Sequence, residues 1–191
     1  MDRISFDIFI PDPKKFHWTP NTIVFGLWFT AIALLWLLKS YIPPGSTLQV
    51  IILICVLAVT FYYLITSFFK YQPLRGVLEG RIIFNDDAII VDDKTYDLKA
   101  ISSLDFRFID YYGEMRSISG ANFDALLSQG IHNFVEFKDA SAQNVKVYFR
   151  IQGKHGSMTL YPFINQAVKV GAMSYYRAID LINVENVTKP T

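Results

Sequence analysis

Two apolar runs limit what this chain can fold into. They are "NTIVFGLWFTAIALLWLLKSY", residues 21–41, and "LQVIILICVLAVTFYYLITSFF", residues 48–69. Each holds about 20 residues, the length an α-helix needs to cross the roughly 30 Å hydrocarbon core of a bilayer. Between Thr22 and Phe69 the only full charge is Lys39. A helix buried in a soluble core normally keeps a polar stripe, and neither run has one. Both are therefore expected to be membrane spans. Between them, in "LLKSYIPPGSTLQVI", Pro43-Pro44-Gly45 must break any entering helix, because proline lacks the donor and clashes with the preceding turn. The spans thus form a hairpin with a tight tip, Ser40 to Thr47.

The first run does not read as a signal peptide. It begins too far from Met1, its apolar region is too long, and no small-residue cleavage site follows it. Trp18 and Trp36 fall near the ends of the first span, and Tyr62, Tyr63 and Tyr71 near the end of the second, at depths that interfacial aromatics prefer. Arg3, Lys14 and Lys15 precede the hairpin, and Lys70, Arg75 and Arg81 follow it. By the positive-inside rule both termini are expected in the cytoplasm, with the tip outside. Apart from Lys39 the spans lack ionisable groups of the kind that proton relays and ion-coupled transporters need. Thr22, Thr30, Thr60, Thr66 and Ser67 are read as hydroxyls bonded back to their own helix backbone. The spans are expected to be anchors or partner-binding helices.

Composition changes sharply at Lys70. The chain as a whole is 52% hydrophobic with a mean hydropathy of +0.27, and the excess lies in the two runs. Beyond them apolar and polar residues alternate as in a soluble domain. The expected organisation is an N-terminal segment over 1–20, the hairpin over 21–70, a domain over 71–184 and a loose tail over 185–191. A net charge of +1 gives no electrostatic case for nucleic acid. The single cysteine, Cys55, allows no internal disulfide, and one cysteine with three scattered histidines builds no Cys/His metal site.

In the N-terminal segment Ile4, Phe6, Ile8 and Ile10 alternate with Arg3, Ser5, Asp7 and Phe9, which reads as a short strand stopped by Pro11 and Pro13. Two placements are open. The segment can pair with an edge of the downstream domain, or lie at the interface with Phe9, Phe16 and Trp18 inserted. An ordered segment docked near the membrane surface is expected, with His17 an interfacial residue.

Downstream, Val77 to Phe84 and Ala88 to Val91 read as strands about an Asn85-Asp86-Asp87 turn. Thr95 to Leu98 follows the turn Asp92-Asp93-Lys94. The stretch "ISSLDFRFIDYY" places Phe106, Phe108, Tyr111 and Tyr112 in one strand. "HNFVEFKD" and "NVKVYFRI" form a pair about Ala140 to Gln143. Phe123 to Gln129 is expected as a short helix ended by Gly130. The stretch from Met158 onward carries one helical stripe through Leu160, Ile164, Gly171, Tyr175 and Ile182, with Gly171 permitting close approach to a sheet and Pro162 confined to the first turn.

Six strands followed by an amphipathic helix make an α+β domain whose element order resembles the pleckstrin-homology-like (PH-like) fold, a bent sandwich or partial barrel capped by its C-terminal helix. A two-span hairpin ahead of such a domain is similar to bacterial inner-membrane proteins with cytoplasmic PH-like domains. The resemblance covers the hairpin and roughly Leu74 to Val184. It implies a seventh strand, which Glu114 to Ser119 would have to supply. It also implies an anionic-ligand site at the first hairpin loop, but here that loop is Asn85-Asp86-Asp87, which repels anions.

No glycine-rich phosphate loop, zinc-protease motif or nucleophile elbow is present in the sequence. Asp86, Asp87, Asp92 and Asp93 lack calcium-loop spacing and read as turn residues. His132 and His155 have no sequence-adjacent partner, and Lys154-His155-Gly156 reads as a turn. No catalytic residue, metal ligand or cofactor is expected. Lys14, Lys15, Lys70, Arg75 and Arg81 are candidates for contact with anionic lipid, each worth about 1 kcal/mol near a charged surface. Tyr111, Tyr112 and Tyr176, if exposed together, would mark a partner contact. The expected function is a non-enzymatic, membrane-anchored interaction module whose domain binds a protein partner, another copy of the chain or membrane lipid. The alternative is a small accessory subunit of a membrane transport or secretion complex, assembled through its spans.

Overall fold

A computed structural model describes residues 3–12, 18–116 and 122–182. The chain divides into two compact units, one built largely of strands and the other around the two apolar helices.

The helical unit runs from residue 14 to 73 and takes in 115–127. Helix α1 spans Pro20–Leu37 and α2 spans Thr47–Ser67, both long and apolar enough to cross a membrane. At 1.5 Å per residue they are about 27 and 31 Å long. Thr19 caps α1, its hydroxyl accepting from Thr22 N–H at 3.2 Å, and Pro20 sits in the first turn. Ser46 caps α2 by accepting from Gln49 N–H at 3.3 Å, while Gln49 Oε1 accepts from Gly45 N–H at 2.6 Å. The Pro-Pro-Gly turn therefore ends one helix and leads into the cap of the next.

The hydroxyls of Thr30, Thr60, Thr66 and Ser67 donate to the carbonyls of Gly26, Val56, Tyr63 and Leu64, as expected of polar groups in apolar helices, whereas that of Thr22 lies 2.9 Å from the Thr19 hydroxyl. Thr60 also accepts from Trp28 Nε1 at 3.0 Å, the one side-chain bond described between α1 and α2.

Phe123 to Gln129 is not helical. Asn21 on α1 donates through Nδ2 to Asn122 and Asp124 at 3.0 and 2.8 Å, and its Oδ1 accepts from Phe123 N–H at 2.8 Å. The Phe25 and Phe123 rings pack edge to face at 6.0 Å. Leu126 N–H donates to Ser67 O and Gln72 N–H to Leu127 O. These tertiary bonds hold the segment extended and override its local helical preference.

The sheet unit contains a seven-stranded antiparallel sheet in the order β4-β3-β2-β1-β9-β8-β5. Its strands are β1 (Ile4–Pro11), β2 (Gly76–Phe84), β3 (Ala88–Val91), β4 (Lys94–Asp97), β5 (Ser102–Arg107), β8 (Asn133–Lys138) and β9 (Asn144–Phe149). Strands β6 (Tyr112–Met115) and β7 (Leu127–Gln129) form a separate two-stranded sheet.

The N-terminal segment corrects the sequence reading most. Strand β1 is not at an edge. It lies between β2 and β9, with Phe6 opposite Ile82 and Ile8 opposite Phe149. It also brings the large sheet to seven strands, whereas Glu114 to Ser119 was expected to supply a seventh. Of that stretch, Glu114 and Met115 belong to β6, and 117–119 lie outside the described residues. Consequently the Asn85-Asp86-Asp87 turn joins the second and third strands of the domain. The first connection, from β1 to β2, contains the whole apolar hairpin. The alternation in β1 also shifts at its end, where Phe9 is buried and Ile10 is exposed.

The core is aromatic. Phe84, Phe106, Phe137, Phe149 and Phe163 are fully buried, and the Phe84 ring lies 5.1 Å from Phe163 and 5.5 Å from Phe106. Truncating Phe163 to alanine would cost about 3–5 kcal/mol.

The expected single C-terminal helix is two, α3 (Tyr161–Lys169) and α4 (Tyr175–Ile182), after a 3₁₀ turn over Gly156–Leu160. Pro162 lies in the first turn of α3 as expected. Gly171 has φ +80° and no atom near where a Cβ would sit, so it ends the helix by its left-handed conformation and makes no close approach to the sheet. Both helices still bury one stripe, including Ile164, Ala167, Val168, Ala178 and Ile182. Ala172 O accepts from Leu104 N–H at 3.0 Å and covers part of the β5 edge. Arg177 joins α4 to β5, donating through Nε to Asp105 at 2.6 Å and through Nη2 to Phe106 O at 3.0 Å.

Candidate functional site

A cleft of about 790 Å³ lies where β1, β2 and the segment after β9 meet. Its position follows from the insertion of β1. Asp7 opposes Arg81 on β2, and on the other side Arg150 N–H donates to Asp7 O at 2.9 Å. Residues far apart in sequence thereby line one space: Arg3, Arg81, Arg150, Lys154 and His155, with Asp7 the carboxylate among them.

Local structure aims these groups. Between Asp7 and Phe9 the pairing of β1 with β2 is irregular, because two residues of β2, Glu79 and Gly80, oppose the single Ile8. Gly80 has φ +82°, and a Cβ there would meet the Asp92 carboxyl carbon at 2.7 Å. Asp92 Oδ1 accepts from Arg81 N–H at 2.9 Å and fixes the bulge from which the Arg81 side chain enters the cleft.

Arg150 follows the last residue of β9 and lies with its guanidinium carbon 4.3 Å from the centre of the Tyr112 ring, a cation–π stack. Its Nε is buried without a hydrogen-bond acceptor among the described residues. Gly156 N–H donates to Gly153 O at 2.8 Å, so Lys154 and His155 sit in a turn, as the sequence indicated.

The electrostatics are one-sided. Among the described residues none of Arg3, Arg81, Arg150 and Lys154 has a carboxylate in ion-pair contact. Asp7 Oδ2 lies 3.5 Å from the Gln152 amide nitrogen. A concave wall on which four basic side chains outnumber the single Asp7 carboxylate focuses a positive potential and draws in anions.

A second polar cluster is structural. Asp110, between β5 and β6, is buried and bridges Ser128 and His132. Its Oδ2 accepts from the Ser128 hydroxyl and lies 2.6 Å from His132 Nδ1, and its Oδ1 accepts from His132 N–H at 3.0 Å. Asn133 Nδ2 donates to Asp110 O at 2.8 Å and to Gly130 O at 2.9 Å, while its Oδ1 accepts from Ile109 N–H at 2.7 Å. Burial by itself would raise the Asp110 pKa. The hydrogen bonds from His132 and Ser128, and the charge on His132, outweigh that and hold the carboxyl below its ordinary value. The order of contacts is serine–aspartate–histidine. A hydrolytic triad needs the histidine in the middle to take the serine proton. The cluster ties loops together.

Of the basic residues singled out in the sequence, Arg81 lines the cleft. Lys70 lies 5.5 Å over the Tyr62 ring in the helical unit, and Arg75 is exposed just before β2. Lys14 and Lys15 lie outside the described residues, as do Phe16 and His17. The three tyrosines are not exposed as one patch. Tyr111 packs against the core, Tyr112 supports Arg150, and Tyr176 is 79% exposed on α4 beside Tyr175. The strand expected to carry Phe106 to Tyr112 ends at Arg107, because the Asp110 cluster turns the chain there. Sequence reading missed Arg3, Asp7, Arg150, Lys154 and His155 as site residues. Only the placement of β1 between β2 and β9 reveals them.

No protein-family model, no curated protein and no solved structure matches this chain.

Proposed function

We propose that this protein is a non-enzymatic, membrane-anchored binding module of the bacterial inner membrane. Its helical hairpin is the anchor, and its sheet unit is a cytoplasmic, PH-like domain that takes an anionic membrane lipid or an acidic partner in the basic cleft. The observation that carries the reading is the meeting of the hairpin's two flanks within one sheet. Pro11 pairs with Gly76, and Asp12 N–H donates to Arg75 O at 2.9 Å. A chain that leaves a folded domain and returns beside its point of departure must cross a bilayer an even number of times. Two spans meet that condition.

Supporting it, α1 buries only Val24 and Ala31, and α2 only Val56 and Ser67. Helices this apolar with so little buried surface need a nonpolar surrounding that the described residues do not supply. The seven strands of the large sheet, with β6 and β7 set apart from it and helices following in the chain, also agree with the strand count that a PH-like domain requires.

Alkaline carbonate washing of membranes from cells expressing the full chain tests the anchor. The chain is expected to stay in the membrane pellet, and release into the supernatant would overturn the reading. Purification from the same membranes in mild detergent tests the binding role. Enrichment of an anionic lipid or a specific protein is expected, and a lone monomer without lipid preference would contradict it.

A further inference from the structure

We infer that the cleft between β1, β2 and the β9–α3 connection is a binding site for a phosphate monoester group, carried by a lipid headgroup or by a soluble metabolite. The inference rests on the reading of the sheet unit as a binding module and specifies its ligand chemistry.

Charge sets the class. Arg3, Arg81, Arg150 and Lys154 face Asp7 across one space, and His155 adds a further donor. A monoanion such as a carboxylate or a phosphodiester leaves most of that charge unbalanced. A phosphate monoester carries close to two negative charges near neutral pH and offers three acceptor oxygens. Size is compatible with that class, since about 790 Å³ is the scale of a small-molecule pocket.

Arg150 supplies the most specific argument. Its guanidinium is held before any ligand arrives, stacked at 4.3 Å on Tyr112, with its backbone N–H fixed to Asp7 O. Its Nε is buried and has no acceptor among the described residues. With Nε buried, the N–H groups of Arg150 that can meet a ligand in the cleft are those on its two Nη atoms. A planar guanidinium fixed by an aromatic face presents its N–H edge to one in-plane acceptor pair, the geometry that suits phosphate oxygens. Arg81 enters the same space from a bulge fixed by Asp92, and Lys154 from a tight turn. Charged groups positioned in this way lose little freedom on binding. The site is also distinct from the Asn85-Asp86-Asp87 turn, where the acidic side chains repel such a ligand.

The test uses the full chain in phosphatidylcholine nanodiscs, with binding followed by calorimetry. Glycerol 3-phosphate is the soluble probe. Phosphatidic acid doped into the nanodisc is the lipid monoester, and phosphatidylglycerol is the diester control. Binding of a monoester at least tenfold tighter than acetate or the diester, at matched ionic strength, is expected. If glycerol 3-phosphate alone binds, the source is soluble; if phosphatidic acid alone binds, it is a lipid; either supports the site.

Arg81→Gln and Lys154→Gln should each weaken binding about tenfold, the loss of one charge-assisted contact, while unliganded melting stays unchanged. Arg150→Lys should weaken it comparably although the charge is kept, because the stacked fork is lost. Equal binding of acetate and monoester, or unaltered affinity in all three variants, overturns the proposal. A chain that resists carbonate extraction yet ignores both monoesters loses this site and keeps its place as an anchored module. Release by carbonate overturns the underlying reading instead.

Discussion

The backbone N–H of Asp12 donates to the carbonyl of Arg75 at 2.9 Å, and this bond closes the sheet around the point where the apolar hairpin departs. The hairpin is thus an insertion between two hydrogen-bonded neighbours, β1 and β2. The sheet cannot be completed by the residues after the second apolar helix alone. Without β1, strands β2 and β9 would lose the partner between them and expose the Phe84, Phe106 and Phe149 core along an open seam.

Replacing residues 13–74 by an Asn-Gly turn should therefore give a soluble, cooperatively folding domain, since two-residue loops of that kind join antiparallel neighbours. The matched fragment that begins at Leu74 and lacks β1 should show no cooperative thermal transition. Circular dichroism melts of the two compare them directly. A cooperative transition in the strand-deleted fragment would show that β1 is dispensable.

Gly80→Ala should destabilise the sheet unit by about 1–3 kcal/mol, because alanine is strained at positive φ and its methyl meets the Asp92 carboxyl group. Asp92→Ala removes the acceptor for Arg81 N–H and should cost about 1 kcal/mol. Because the Asp92 side chain is part of what the new methyl strikes, the double variant should cost less than the sum of the two. Urea midpoints of the four proteins measure the coupling, and strict additivity would place the Gly80 strain elsewhere.

Asp110 gives the fold a pH dependence of known sign. Its folded-state pKa lies below the ordinary 3.8, so its ionised form stabilises the native state. That contribution is complete above the unfolded-state value and is lost as pH falls through the lowered folded-state value. Asp110→Asn should cost about 1–3 kcal/mol at neutral pH, since donors from Ser128 and His132 lose a charged acceptor. The gap between wild type and variant should narrow as pH drops below about 4. A gap that stays constant to pH 2 would mean the carboxylate charge contributes nothing.

The helices, the β2–β3 hairpin and the β8–β9 pair were legible in the sequence because their signals are local. Apolar length without charge, an Asn-Asp-Asp turn and period-two alternation each fall within one short window. The sheet order was not legible. Ile4 to Ile10 reads as a strand, but nothing within it says that its partners begin at Gly76 and at Asn144, on the far side of an apolar hairpin. The cleft inherits that difficulty, since Arg3, Arg81 and Arg150 are adjacent only through β1. Phe123 to Gln129 failed for the opposite reason. Its local helical preference is real, but Asn21 and Ser67 offer hydrogen bonds that an extended chain alone can take. In the C-terminal stretch the buried stripe was readable, while the break at Gly171 was hidden by a period that continues across it.

Sidedness tests the central claim, that the flanks of the hairpin return to one face of a membrane. In a Cys55→Ser background, Ser40→Cys marks the tip and Ser141→Cys marks the β8–β9 turn of the sheet unit. A membrane-impermeant maleimide applied to spheroplasts with intact inner membranes should label position 40 at once and position 141 only after the membranes are broken. Labelling of both positions from the same side would contradict the two-span hairpin and the topology drawn from Asp12 and Arg75.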